Sequence, residues 1–401
     1  MRILFLSRWY PYPPDNGSRI RVFNLLRDLS KRHEVTLISF AQGPVSQERL
    51  AAMECCCRSV HVVPYRGFAP SRLKAVLGFF SMRPRFLVDT YSQEMHVLVE
   101  RASTENSFDV VIASEIDSAP YALLLQGTPR VLEDLELAVS YERFACQRSF
   151  VPRARYRLTW WKLSRYVPRL LRQFEGCTVV SDQEVNLVKG AAPEYDALVV
   201  VPNGVDLEAN TGDFGAPRPD TLIYSGALTY DANFDAMEFF LHDIFPLIKA
   251  QRPNVRMSIT GGYGGVPVSR LPVGDGVELT GYLPDIRPAV AQSWVSVVPL
   301  RMGGGTRLKI LEAMAMGTPV VSTAKGAEGL EVTHEENILI ADAPDNFARA
   351  VLRLLRDEDL RANLSAAGRR LVEERYSWET CARRLEQLLC RVVQRGRDAN
   401  S

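Results

Sequence analysis

Residues 3–7 (ILFLS) form an apolar run with no polar alternation. A run of that kind suits a strand covered on both faces, the habit of parallel sheets. A parallel neighbour needs a crossover, normally a helix, before the chain can return. The sequence supplies one. The loop after the run carries Pro11, Pro13 and Pro14, which keep it out of a helix, and Asp15-Asn16-Gly17, which is turn chemistry. Ser18 is then expected to cap a helix over residues 19–31, with Val22, Leu25, Leu26 and Leu29 on one face. Residues 33–40 (HEVTLISF) read as the second strand. The chain thus opens β–loop–α–β, and the loop after the first strand lies where open parallel sheets bind ligands. It does not contain GxGxxG, which argues against a nicotinamide or flavin enzyme.

Further strands are expected at 59–64, 108–114, 129–133, 177–181 and 197–206, completing a sheet of about seven. Their ends place Glu115, Asp117, Glu133 and Asp134 at the ligand edge. Such carboxylates either serve as acids and bases or cap helices and pair with arginines. A chain of 401 residues exceeds one ordinary core, so two domains are expected. The polar linker 207–219, with Gly212, Gly215, Pro217 and Pro219, marks the boundary. A second α/β set follows. A strand is expected at 221–226, a strand and glycine turn at 255–262, a strand with a turn at Gly281 and a cap at Asp285 over 277–286, and strands at 294–300, VVST and NILIA. Helices are expected at 233–247, with a kink or break at Pro246, and at 344–355, 357–374 and 378–394. Two such domains facing each other would leave a cleft as the default ligand site.

The composition excludes several classes. Net charge is +1, so nothing global favours nucleic acid. The seven cysteines show no CxxC spacing, the five histidines are scattered, and no metal site is readable. The first residues do not form a signal peptide, and no run reaches the roughly 18 apolar residues of a membrane span. A cytoplasmic protein is expected.

Residues 301–323 (RMGGGTRLKILEAMAMGTPVVST) read as glycine loop, helix and strand. Gly303, Gly304 and Gly305 let the backbone approach a ligand, and Thr306 is a suitable cap for a helix from about 307 to 316. Gly317 and Pro319 stop that helix. A glycine loop opening a helix gathers free N–H groups and the positive dipole end, which suits a phosphate; Arg307 and Lys309 add positive charge. The same pattern also serves as a tight turn, with Lys309 and Glu312 as an ordinary exposed i, i+3 pair.

Residues 147–173 carry Arg148, Arg153, Arg155, Arg157, Lys162, Arg165, Arg169 and Arg172 without one acidic residue. Phe150, Tyr156, Trp160, Trp161 and Tyr166 are interleaved. A second stretch, 66–85, mixes Arg72, Lys74, Arg83 and Arg85 with Phe68, Phe79 and Phe80. Such stretches fit an anionic membrane or an anionic acceptor; alternatively the aromatics are core and the arginines a solvated face.

The motifs in their order resemble the retaining glycosyltransferases of the GT-B fold, family 4 (group 1) type. VVPNGVD (200–206) is similar to that family's hinge, YSGALTYDANFDA (224–236) to the start of its donor domain, and LTGYLPD (279–285) to its base-contacting turn. GGGTRLKILEAMAMGTPVV is similar to its donor-binding signature, and YSWE (376–379) to the point where the last helix crosses back. The resemblance covers nearly the whole chain. It implies two facing doubly wound Rossmann-like domains: an acceptor-side domain at 1–204, a donor domain at 205–375, and a returning helix at 376–401.

It further implies a nucleotide-diphosphate-sugar co-substrate and neither cofactor nor metal. Glu312 would bind the donor ribose. The backbone at Gly304, Gly305, Thr306 and Arg307, with Gly226, would take the diphosphate. Tyr282 and Leu283 would flank the base, and Asn16 and Gly17 would close over the diphosphate. Retaining members use the donor's own phosphate oxygen to help deprotonate the acceptor.

The chain departs from the pattern at three points. Gly304 stands where the first signature glutamate is usual, Ala227 to Asn233 lack the usual Arg and Lys, and the usual histidine after FDVVIAS is absent. Arg307 and Lys309 are therefore assigned the leaving group's charge, and Glu115 or Asp117 becomes a candidate base for an inverting route. The expected activity is transfer of a sugar to a glycan or lipid-linked acceptor in surface polysaccharide synthesis, at the inner membrane face. The rivals are a catalytically inactive binding partner and a nucleotide-sugar epimerase.

Overall fold

The computed structural model describes residues 1–145, 150–303 and 307–398. The chain divides into two compact units, Met1–Asn203 with Trp378–Ser401, and Gly204–Ser377.

The first unit is built on β1 (Arg2–Ser7), β2 (Glu34–Ala41), β3 (Ser59–Pro64), β4 (Val110–Ser114), β5 (Arg130–Glu133), β6 (Gly176–Val179) and β7 (Leu198–Val200). Their order is β3-β2-β1-β4-β5-β6-β7 and every pairing is parallel. Ile3 to Ser7 are fully buried, which explains why that run needs no polar alternation. Leu4 and Leu6 face one apolar layer with Val111 and Leu132; Ile3 and Phe5 face the other with Leu25, Leu29, Leu385 and Leu389. The last two belong to the helix Trp378–Asp398, which returns to this unit and packs on the helix Gly17–Leu29. Arg32 Nη2 pairs with Glu386 at 2.7 Å beside that contact.

The first crossover helix starts two residues before the expected position. Asn16, in extended conformation, is its cap: its Oδ1 accepts from the Arg19 backbone N at 3.1 Å. Ser18 lies inside the first turn, because the asparagine already satisfies the orphan donor a serine cap would take. The strand expected at 197–206 shortens to β7, since Pro202 has no N–H for a ladder.

The second unit is built on β8 (Arg218–Ser225), β9 (Arg256–Thr260), β10 (Val277–Gly281), β11 (Ser293–Val298), β12 (Val320–Ser322) and β13 (Leu339–Ile340). Their order is β10-β9-β8-β11-β12-β13, again all parallel. The helix expected over 233–247 is three pieces: Asp231–Phe239, a π-helical turn Phe240–Ile244, and Phe245–Gln251. Pro246 explains the widened turn. It lacks an N–H and its ring would clash with a carbonyl one turn back, so the helix opens before it and restarts with the proline in its first turn.

Both halves are therefore Rossmann-like parallel sheets. In each, the strand order reverses once, between β1 and β4 and between β8 and β11. Crevices at such reversals, beyond the carboxyl ends of the strands, are where open α/β sheets bind ligands.

Candidate functional sites at the two strand-order reversals

In the first unit, Arg8 follows β1 and Glu115 follows β4, so the two flank the reversal. Glu115 takes a left-handed backbone conformation, φ 61°, unusual for a side chain of its size. Its Oε1 accepts from Trp9 Nε1 at 2.8 Å, and its Oε2 lies 3.5 Å from Arg8 Nη1. The same guanidinium stands 3.6 Å from Asp117 Oδ2. It also lies 4.8 Å from the Trp9 ring centre and 5.2 Å from that of Tyr65. Burial first, then Asp134 nearby, push the Glu115 carboxyl from its ordinary 4.5 up to about 7, against the pull of Arg8. Burial also raises Asp117, again opposed by Arg8. A carboxyl poised near neutrality beside a fixed guanidinium can accept a proton from a hydroxyl.

Glu133 does other work. Arg21, fully buried, donates from Nε to Glu133 Oε1 at 2.7 Å and from Nη1 to Asn203 Oδ1 at 2.9 Å and Pro202 O at 3.2 Å. Ser114 Oγ donates to Glu133 Oε2 at 2.8 Å. This carboxylate is spent on tying the helix Gly17–Leu29 to the end of β5 and to residues 202–203.

In the second unit, the helix Leu308–Ala315 follows β11. It starts one residue later than expected, with Arg307 in the cap position. Lys309 projects from its first turn toward the end of β8. Its Nζ donates to Tyr224 Oη at 2.8 Å and Asn233 Oδ1 at 3.1 Å, and lies 4.0 Å from the Tyr224 ring centre. Tyr224 Oη in turn donates to Asn233 Oδ1 at 2.6 Å. Burial, then the charge of Arg307, bring the Lys309 ammonium from 10.5 down to about 7. Glu312, one turn along, is raised by burial and pulled back by Lys309. Lys309 is thus no exposed i, i+3 partner but a cation held at the strand-order reversal. Gly226 makes room for it: a Cβ there would stand 2.8 Å from Lys309 Nζ and 2.9 Å from Asn233 Nδ2, at a φ of 154°. Arg307 is buried and points back, its Nη2 donating to Gly303 O at 2.6 Å and Lys325 O at 3.1 Å.

The other sequence candidates divide between the units. Tyr282 is exposed and Leu283 half-buried after β10 in the second. Asn16 and Gly17 are exposed at the first helix of the first. Gly304, Gly305 and Thr306 lie outside the described residues. Among the described residues, no cluster of three or more His, Cys, Asp and Glu could hold a metal ion. The sequence reading passed over Arg8, Trp9, Tyr224 and Asn233. Arg8 and Trp9 had a signal, being the first residues after the first strand. Tyr224 and Asn233 stand in the stretch 224–236 that resembles the start of the donor domain, without a role of their own, because only the fold brings Lys309 to them.

Comparison with known proteins agrees with this architecture. Residues 15–209 match the model of "Glycosyltransferase Family 4" and residues 219–357 that of "Glycosyl transferases group 1". A GDP-mannose-dependent monoacylated alpha-(1-6)-phosphatidylinositol monomannoside mannosyltransferase of Corynebacterium glutamicum is 30% identical over 232 residues, 53% of this chain. The chain spans 61% of that relative's length. An uncharacterized 44.6 kDa protein in the cps region of Klebsiella pneumoniae is 22% identical over 366 residues, 88% of this chain and 90% of that one. The Anabaena HepE structure in complex with UDP-glucose superposes with a TM-score of 0.61 at 16% identity, covering 97% of this chain and 99% of that one. With both sheets Rossmann-like and both halves matched by these models, the chain belongs to the GT-B glycosyltransferases of the family 4, group 1 type.

Proposed function

We propose that this chain transfers a sugar from a nucleotide-diphosphate donor to a glycan or lipid-linked acceptor in surface polysaccharide synthesis. The observation that carries this reading is the Lys309 ammonium, held by Tyr224 and Asn233 beside Gly226 at the reversal of the second sheet. It supplies a cation where a leaving diphosphate would sit, in a chain whose Ala227 to Asn233 offer none. The HepE complex with UDP-glucose and the mannosyltransferase relative support a nucleotide-sugar donor. The cps-region relative supports the polysaccharide setting.

In this reading Glu312 binds the ribose, Tyr282 and Leu283 flank the base, and the backbone of Gly304, Gly305 and Thr306 takes the diphosphate with Gly226. Asn16 and Gly17 close over it. Arg307 shapes the loop through Gly303 and adds charge. The sugar C1–O bond to the diphosphate breaks as the acceptor oxygen attacks C1. Lys309 meets the charge that develops, and neither metal nor cofactor is assigned. The donor's phosphate oxygen takes the acceptor proton, with retention. One observation favours a second route: Glu115, near neutrality beside Arg8, would act as base and give inversion, with Asp117 setting the guanidinium. The cationic, aromatic stretch 147–173 supports a peripheral place at the anionic inner face of a membrane; among the described residues no helix is long and apolar enough to cross one.

A panel of UDP-, GDP- and dTDP-sugars tests this. Turnover with one of them, and the anomeric configuration of the product by NMR, are the expected readouts. If none is hydrolysed or transferred and none raises the Tm, the transferase reading fails and an inactive binding partner takes its place. Product with only the sugar stereocentre changed would mark an epimerase.

A further inference from the structure

Residues 65–88 of the first unit contain no acidic side chain. Within them the short helix Leu73–Leu77 presents its apolar side chains to solvent: Leu73 is 73% and Leu77 55% exposed. Phe80 follows at 89%, with Val76, Phe79 and Met82 also exposed. Scattered apolar exposure needs no explanation, but this many large side chains in one run marks a surface made to be covered.

The run is held firmly. Lys162, from the helix Phe150–Leu171, is buried and donates from Nζ to Gly78 O at 2.7 Å, Phe79 O at 3.0 Å and Ser81 O at 2.8 Å. Arg85 donates from Nε to Ala75 O at 2.8 Å, and its guanidinium lies 3.6 Å from the Phe79 ring centre. Asp89 is buried against Arg72 at 3.2 Å, so it brings no negative charge to the surface. Lys162 is thus an anchor and not one of the surface cations of the 147–173 stretch. Its helix still exposes Arg157, Trp161 and Arg165, the last stacked 4.2 Å over Trp161. Arg66 and Arg83, before and after the apolar run in sequence, and Lys74 within it are exposed.

We infer that residues 66–83 dock on an anionic lipid bilayer, with Leu73, Leu77 and Phe80 entering the headgroup boundary and Arg66, Lys74 and Arg83 meeting lipid phosphates. Exposed apolar side chains interleaved along the chain with exposed cations, in a run free of acids, match that surface in charge and polarity. This rests on the peripheral-membrane reading above and moves the contact to a defined segment, with the helix Phe150–Leu171 as its strut.

The full chain, sedimented with phosphatidylcholine vesicles and with mixed phosphatidylcholine–phosphatidylglycerol vesicles, tests it. The wild type is expected to bind the mixed vesicles at least about tenfold more tightly, less so at high salt. Leu73→Ser with Phe80→Ser should lose at least about tenfold of that affinity, and so should Lys74→Glu with Arg83→Glu, all with unchanged Tm because the side chains are exposed. Donor binding in buffer, which reads the transferase assignment alone, should stay as in the wild type. Equal binding of wild type and the Leu73/Phe80 variant to mixed vesicles overturns the inference. A wild type that binds neither vesicle overturns the peripheral reading beneath it. A concentration-dependent dimer lost in the variant would instead assign the surface to a second copy and overturn the lipid.

Discussion

Lys309 donates to Tyr224 Oη at 2.8 Å and stands 4.0 Å from the centre of the same ring. One tyrosine therefore holds the ammonium twice, by its hydroxyl and by its face. Asn233 completes the grip and leaves the cation little freedom. Lys309→Ala is expected to weaken donor binding by at least tenfold, about 1.4 kcal/mol, in a calorimetric titration. Glu312→Ala and Arg307→Ala should each cost as much in donor binding or kcat/KM. Arg307→Ala should also lower the Tm, since its guanidinium braces Gly303 and Lys325. Wild-type affinity in Lys309→Ala and Glu312→Ala would place the donor elsewhere.

Donor affinity should depend on pH through Lys309. Its free ammonium loses a proton near pH 7, and a bound diphosphate favours the charged form. Binding then takes up a proton. Affinity should be flat below about pH 7 and fall above it, by up to about tenfold per pH unit until the bound lysine itself titrates. Lys309→Met should remove the slope; an unchanged slope in that variant would assign it to another group.

Glu115 predicts a stability change of known sign. Its carboxyl holds a proton up to about pH 7 in the folded chain, against 4.5 ordinarily. The stability this contributes is complete below pH 4.5 and is lost as pH rises through 7. Glu115→Gln keeps the neutral form at every pH. It should melt higher than wild type at about pH 8 and equally at about pH 4. If the inverting route is used, the same variant loses transfer; if the retaining route is used, transfer survives with its stereochemistry intact.

Glu133 should behave as structure. Glu133→Ala leaves the buried Arg21 charge with only Asp134, 3.6 Å from its Nε, as a carboxylate partner, a loss of up to about 3–5 kcal/mol by denaturant unfolding. Replacing Arg21 and Glu133 together with apolar residues should recover much of it. A Glu133→Ala chain as stable as wild type would contradict the buried pair.

The doubly wound halves were legible because buried parallel strands carry no polar alternation, as at Ile3 to Leu6. Local chemistry was read less well where two residues competed. Asn16 and Ser18 both cap helices, and only the backbone shows that Asn16 took the role. The site was half legible. Glu115 and Asp117 follow a strand, and the sequence shows that; their neighbour Arg8 arrives from 107 positions before Glu115. Lys309 was named from its helix, but its tethers come from 85 and 76 positions earlier in the chain, so no spacing rule could have found Tyr224 or Asn233. The acid-free run at 66–85 was visible, whereas the inward turn of Lys162 was not, because a lysine among arginines reads as surface.

Gly226 sets where the Lys309 ammonium comes to rest. The ammonium occupies the space a Cβ at position 226 would enter, 2.8 Å away. An alanine at 226 would press on the end of a flexible lysine, which can swing aside, and on the Asn233 amide 2.9 Å away, at a backbone φ of 154°; what it would cost the site is the placing of the ammonium, not its presence.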